Sequence, residues 1–207
     1  MTQVGRNATV ALVATAVMMV AGRADAQDEP TAAPGLRNAT IVLHVVNHAN
    51  VSRDVLAEAM VRVARIYKGI GVRTEWVEGG PTVRQYKDGQ LHLSVLLLSR
   101  DMAEKKISAA GIKDGVLGQA HLPSGRASIF CDRIAGMSAA PKLFSIPLSA
   151  VIAHEVGHLV LLANTHSPSG IMSAEMDMHR TQLQSFNKAQ GRIILTTLIE
   201  RGAGRVE

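Results

Sequence analysis

Within five consecutive residues the chain carries His154, Glu155 and His158. On a helix, positions i and i+4 lie on one face about one turn apart, so both imidazoles can reach one metal ion. Glu155 would project about 100° around the helix from His154, beside the open coordination position of that ion. Neutral imidazole suits Zn²⁺, and a zinc ion with three protein ligands lowers the pKa of a water molecule to about 7 and polarises a carbonyl. The pattern predicts a catalytic zinc site in which Glu155 carries the proton.

The residues around this pattern are apolar, which argues against two exposed histidines on an amphipathic helix. A helix that is apolar on nearly every side is buried. Burying two imidazoles and a carboxylate is costly unless something pairs with them, and a bound metal ion supplies that pairing. The apolar neighbours are Val151, Ile152, Ala153, Val156, Leu159, Val160, Leu161 and Leu162.

A third metal ligand has to come from outside this helix. His166 follows the predicted helix end near residues 163–164, and the Ser-Pro-Ser-Gly segment at 167–170 then forces a turn. We predict that His166 is the third ligand. Three further donors follow the turn and remain the alternative: Glu175, Asp177 and His179.

Residues 154–172 resemble the active-site segment of the zincin metallopeptidases, and most closely their metzincin branch. In that branch a His-Glu-x-x-His-x-x-Gly-x-x-His motif on the active-site helix is followed by a tight turn with a methionine beneath the metal. The resemblance implies that His154 and His158 bind zinc, that Glu155 is the general base and that Met172 is the turn methionine. It also implies that one strand of a hairpin before the helix is a sheet edge that pairs with extended peptide through main-chain hydrogen bonds.

The sequence departs from the metzincin motif at two positions. Leu161 stands at the glycine position, and Asn164 stands at the position of the third histidine. Assigning that ligand role to His166, two residues later, requires a differently shaped helix exit. In the other zincin branch a carboxylate further along the chain is the ligand, and the later cluster would fit that pattern.

The apolar periodicity predicts the elements that must position these residues. Their order is β-α-β-β, a hairpin, a helix, a loop and a helix. This order predicts an α/β (α+β) fold, with a small twisted mixed sheet and an edge hairpin packed against an N-terminal helix and a buried active-site helix, plus a C-terminal helix. The predicted strands are 39–47, 72–77, 91–98, 117–122 and 127–131. The first predicted helix is capped by Ser52 or Asn50 and ends at Lys68, and the other two predicted helices span 143–162 and 181–201.

The N-terminal segment has the three parts of a secretory signal peptide. Arg6 is followed by an uncharged, mostly apolar run over 8–22 and then by Ala-Asp-Ala at 24–26. We therefore expect a signal peptide over 1–26, export to the periplasm or the medium, a flexible lead-in over 27–38 and one zincin-like metallopeptidase domain over 39–207. The apolar run is shorter than the ~20 residues of a membrane span, so no stable membrane insertion is expected after cleavage.

The composition narrows the function classes. The net charge is +5, but the basic residues are scattered and aromatic residues make up only 3% of the chain, which disfavours a nucleic-acid surface. Cys131 is the only cysteine, so no intrachain disulfide can form, and we predict that it is a small buried apolar residue.

These features together predict an exported, Zn²⁺-dependent metallopeptidase that acts on peptide or protein substrates, as an endopeptidase in preference to an exopeptidase. The alternative is a catalytically weak zinc-site protein that acts as a binding or regulatory module. The departures at Leu161 and Asn164 motivate this alternative, while the presence of Glu155 argues against it. A different metal-assisted hydrolase on the same scaffold is a third hypothesis, because a fold does not determine a substrate.

Overall fold

The computed structural model describes residues 39–80, 83–137, 143–163, 166–175 and 184–203. The predicted signal peptide and lead-in lie outside these residues. The strands are β1 (Thr40–Asn47), β2 (Arg73–Glu78), β3 (Gln85–Lys87), β4 (Gln90–Leu98), β5 (Gly118–His121) and β6 (Arg126–Phe130). The helices are α1 (Arg53–Lys68), α2 (Arg100–Ala110), α3 (Cys131–Met137), α4 (Ser145–Leu161) and α5 (Lys188–Ala203).

Within the described residues the strands form one mixed sheet, in the order β2-β1-β4-β6-β5, with β3 beside β4. The pairs β2–β1, β1–β4 and β4–β6 are parallel, whereas β3 and β5 are antiparallel to their neighbours. A short 3-10 turn (Leu122–Ser124) joins β5 to β6, and Gly125 follows it with φ +63°. The α/β (α+β) fold with an edge hairpin is therefore confirmed, and β5 is the edge strand of that hairpin.

The core lies on the face of the sheet that α1 and α4 cover. Alternate residues of β1 and β4, including Leu43, Leu93 and Val95, point to this face and are fully buried. On the opposite face Leu98 of β4 packs with Phe130 and with Ala103 of α2, so β4 is covered on both sides, as its nearly continuous apolar run predicts. The hydroxyl of Tyr67 in α1 donates to the backbone carbonyl of Ala153 in α4 at 3.1 Å. This bond links α1 to α4, the helix that carries the predicted site.

Helix α4 is buried along nearly its whole length, as its composition predicts. Its first residue, Ser145, and the following Pro147 are the predicted start signals. No helix in the described part of the chain is both long enough and apolar enough to cross a membrane.

The helix α1 begins and ends at predicted positions. Ser52 is its N-cap, and the Ser52 hydroxyl accepts a hydrogen bond from the Val55 N–H at 3.5 Å. The helix ends at Lys68, and Gly71 follows with φ +79°, a left-handed conformation that favours glycine.

Three elements, β3, α2 and α3, are not among those that the apolar periodicity predicts. Helix α2 is mostly exposed and buries only Ala103, so it carries little apolar periodicity. Its local signals are a Ser99 cap and a left-handed Gly111 at its end. Cys131 is predicted as the end of a strand but begins α3 instead, and it is buried in the core as expected. Burial raises the pKa of its thiol to about 12.

The predicted start of the C-terminal helix is wrong. Residues 184–187 are not helical, and α5 begins at Lys188. The Asn187 side chain accepts from the Gln190 N–H at 2.9 Å, and the Gln190 side chain accepts from the Asn187 N–H at 3.1 Å. These reciprocal bonds satisfy the N–H of the cap residue and one of the free N–H groups of the first turn. Gly191 is not a defect of this helix, because a Cβ there would lie 2.7 Å from the Ile70 side chain.

Candidate metal centre

The structure brings the three predicted histidine ligands together. Helix α4 places the Nε2 atoms of His154 and His158 3.0 Å apart. His166 reaches them from the loop after α4, and one ligand atom from each of the three rings lies within 4.8 Å of the others. Two nitrogens bound to one tetrahedral zinc ion at 2.0–2.1 Å are about 3.3 Å apart. The spacing of the helical pair is therefore close to what a shared zinc ion requires.

Backbone carbonyls orient the two helical imidazoles. The Nδ1 of His154 lies 2.8 Å from the carbonyl oxygen of Ile171, and the Nδ1 of His158 lies 2.7 Å from that of Ala163. A carbonyl can only accept, so each Nδ1 carries the proton and each Nε2 presents a lone pair. Two lone pairs facing each other at 3.0 Å repel unless a cation lies between them. This arrangement fits a metal ion, and the carbonyls are the outer partners that metal-binding histidines use.

Burial keeps these histidines in the metal-binding form. It lowers the pKa of His154 to about 4, the carbonyl of Ile171 partly opposes this, and the neighbouring histidines add to the lowering. Burial also lowers the pKa of His158. Both imidazoles are therefore neutral at neutral pH, as binding of zinc requires.

Glu155 lies beside the histidine cluster and is not part of it. Its side chain is only 7% exposed, and burial raises its pKa to about 8. A hydrogen bond from the Ala120 backbone N–H acts in the opposite direction. A cation at the histidine cluster would also favour the ionised carboxylate. The position suits a group that accepts and returns a proton.

The turn that carries Met172 packs directly against α4. Gly170 has φ +81°, and the Ser167 N–H donates to the Met172 carbonyl at 2.8 Å, which closes the turn next to His166. Met172 is fully buried, and a Cβ at Gly157 would collide with its sulfur atom. Because Gly157 has no side chain, Met172 can pack against α4 at this position, which lies between His154 and His158 in the sequence.

The end of α4 lies close to the predicted one. Leu162 ends α4 with a left-handed backbone, φ +55°, just before the predicted helix end near residues 163–164. This conformation costs a non-glycine residue roughly 1–2 kcal/mol. It lies one residue after Leu161, where the metzincin motif has its glycine. Asn164 lies outside the described residues.

Of the three alternative donors, the structure describes only Glu175. Glu175 is exposed on the rim of the cleft and does not belong to the histidine cluster. Asp177 and His179 lie outside the described residues. His44 and His92 contact each other at 2.9 Å, away from the site.

A cleft of about 520 Å³ runs along the cluster. The edge strand β5 forms one side of it, with Gly118, Gln119 and Ala120, and Ala174 and Glu175 lie on its lining too. Sequence reasoning did not single out Gly118 or Ala120. A glycine inside a predicted strand often marks a close approach of another group, and that signal was present at Gly118.

We expect His166→Ala to weaken zinc binding by at least ~100-fold, because losing a ligand costs more than the 10–100-fold typical of an outer partner. Glu175→Ala should change the affinity by less than about 3-fold, since Glu175 lies outside the cluster. Competition with a chromophoric chelator measures both affinities, and Asp177→Ala and His179→Ala complete the series. A larger loss in Glu175→Ala than in His166→Ala would place the chain in the carboxylate-ligand branch instead.

No family model matches the sequence, and no curated protein matches it. The solved structures that are similar to the chain include the following two. One is archaemetzincin from Methanopyrus kandleri, with 16% sequence identity and a TM-score of 0.47, covering 78% of this chain and 97% of that one. The other is a zinc-dependent peptidase from Methanocorpusculum labreanum, with 14% identity and a TM-score of 0.48, covering 75% of this chain and 99% of that one. Because both likenesses are distant, the chemistry of this chain is inferred from its own residues.

Proposed function

We propose that this protein is a zinc-dependent metallopeptidase that hydrolyses internal peptide bonds. The observation that carries the proposal is the buried carboxylate of Glu155 beside three convergent histidines in an open cleft. A structural zinc site is closed by its ligands and needs neither an adjacent carboxylate nor a cleft. A catalytic site needs both.

The residues divide the chemistry between them. His154, His158 and His166 would hold the zinc ion, which supplies Lewis acidity toward a carbonyl and lowers the pKa of water. Glu155 takes a proton from the attacking water at a carboxylate oxygen and returns it to the nitrogen of the leaving amine. Its burial and its hydrogen bond to Ala120 hold the carboxylate at the cleft.

The edge strand supports an extended peptide as the substrate. The Phe130 N–H donates to the Leu117 carbonyl at 2.9 Å. Because hydrogen-bonded and non-hydrogen-bonded pairs alternate in an antiparallel ladder, the main-chain groups of Gly118 and Ala120 point away from β6. The Ala120 N–H is bonded to Glu155, so the Gly118 N–H and the carbonyls of Gly118 and Ala120 remain for pairing. An extended peptide pairs with such an edge.

A peptide library tests this proposal. The zinc-loaded protein is incubated with a library of blocked peptides, and the products are identified by mass spectrometry. We expect internal cleavage that a chelator stops and added zinc restores. Binding of peptides without any cleavage would contradict the peptidase proposal and would favour the binding or regulatory module.

Export is a separate part of the proposal. It is supported by Arg6, the apolar run over 8–22 and the Ala-Asp-Ala sequence at 24–26. We expect N-terminal sequencing of the protein from its native host to begin at Gln27. Recovery of the chain with intact Met1 from the soluble cytoplasmic fraction would contradict export.

A further inference from the structure

Gly118 in the edge strand lies directly against the side chain of Glu155. A Cβ built on Gly118 would be 2.7 Å from the Cγ of Glu155, 2.8 Å from its Oε1 and 3.0 Å from its Cδ. Non-bonded atoms at these distances overlap sterically. Any residue larger than glycine would therefore have to displace the Glu155 carboxylate.

The backbone itself does not require glycine at this position. The positive-φ glycines of the described chain do not include Gly118, and it sits within β5 in regular pairing with Ile129. Glycine in a strand interior is unfavourable, because it loses more backbone entropy than other residues and has no side chain to pack. The close approach of Glu155 is the physical reason for its presence.

Glu155 has little freedom to move away from β5. It is nearly completely buried, and it accepts a hydrogen bond from the Ala120 N–H, two residues further along the same strand. We propose that β5 positions the general base, with Gly118 supplying the space for its side chain and Ala120 the donor for its carboxylate. Gly118 is thus a positioning residue that acts through Glu155.

This inference rests on the proposed function for its catalytic meaning. If substrate main chain pairs with β5, the same strand sets the position of the peptide and of the base. The distance between the carboxylate and the scissile bond would then depend on one rigid element and not on two that move independently.

We expect Gly118→Ala to retain zinc, because the histidines are oriented by Ile171 and Ala163 and not by β5. Its kcat should fall by about 100-fold, the effect of an error of about 1 Å in the position of a catalytic group, while KM changes little. The control is Gly136→Ala, since Gly136 in α3 is exposed and a Cβ there meets nothing within 4 Å. Equal kcat in Gly118→Ala and the control would overturn the proposal.

A second measurement uses thermal unfolding of the metal-free protein and needs no activity. Gly118→Ala should lower the unfolding temperature by several degrees when Glu155 is present. The same loss is expected in Glu155→Gln, which keeps the side-chain shape. In Glu155→Ala, where the contacting atoms are gone, Gly118→Ala should leave the unfolding temperature unchanged or raise it. The measurement in the Glu155→Ala background can be made even if Gly118→Ala alone fails to fold.

The two measurements separate the possible failures. The same change in unfolding temperature in all three backgrounds would show no coupling between the residues and would overturn the positioning role. Coupling without any cleavage by the wild-type protein would support the contact and contradict only the proposed function.

Discussion

The His158→Ala variant is expected to lose nearly all bound zinc and, with it, all chelator-sensitive cleavage. Two remaining imidazoles hold zinc poorly, because catalytic sites use three protein ligands. The substitution also removes the hydrogen bond to the Ala163 carbonyl, which lies between α4 and the loop that carries His166. The loss of zinc affinity should therefore exceed the 10–100-fold loss that removal of an outer hydrogen-bond partner causes. Elemental analysis after dialysis against a low concentration of free zinc measures the stoichiometry.

The matched control is His48→Ala, since His48 is exposed and is not part of the histidine cluster. It should keep about one zinc ion per chain, as in the wild type. Full zinc occupancy in His158→Ala would show that the ion binds elsewhere, and the assignment of the metal centre would then be wrong.

Glu155→Gln is expected to reduce cleavage by ~10²–10⁴-fold, the range typical of losing a general base, with near-normal zinc content. Glutamine keeps the size of the side chain but cannot take up the proton at neutral pH. The fold should tolerate the change, because burial raises the pKa of Glu155 and a neutral amide is therefore no harder to bury than the charged carboxylate.

The comparison requires the wild type and the variant at equal zinc occupancy, with circular dichroism to verify the fold. The inactive variant also serves as the blank for the peptide library, since it has passed through the same purification. Equal residual cleavage by the two proteins would identify a contaminant. Loss of zinc in Glu155→Gln would instead mean that Glu155 is a ligand and not the base.

The parts of this protein that short patterns determine could be predicted from the sequence alone. The i, i+4 spacing of His154 and His158 places both rings on one helix face wherever the helix lies. The apolar run of β4 predicts a central strand, since only burial on both faces suits it. The turn signals at 167–170 predict the return of the chain toward the helix. These features depend on neighbours within about ten residues, which the sequence displays directly.

Other local features were not predicted from the sequence because their signals are weak or unusual. Helix α2 has an exposed surface with almost no apolar periodicity, so its caps at Ser99 and Gly111 were its main evidence. The start of α5 was visible in the spacing of Asn187 and Gln190, but the apolar pattern extended past it. Leucine rarely adopts the left-handed conformation, so nothing in the sequence marks Leu162 as the helix exit.

Only the tertiary structure decided how distant segments meet at the site. The sequence offered four candidates for the third ligand. Of the two that the structure describes, His166 and Glu175, the loop after α4 brings His166 to the helical pair. The contact between Gly118 and Glu155 joins residues from the edge strand and the helix, and so does the hydrogen bond from Ala120. Such contacts depend on how a helix packs against a sheet, which is set by the shapes of all the core side chains together. A residue pattern along the chain does not contain that information.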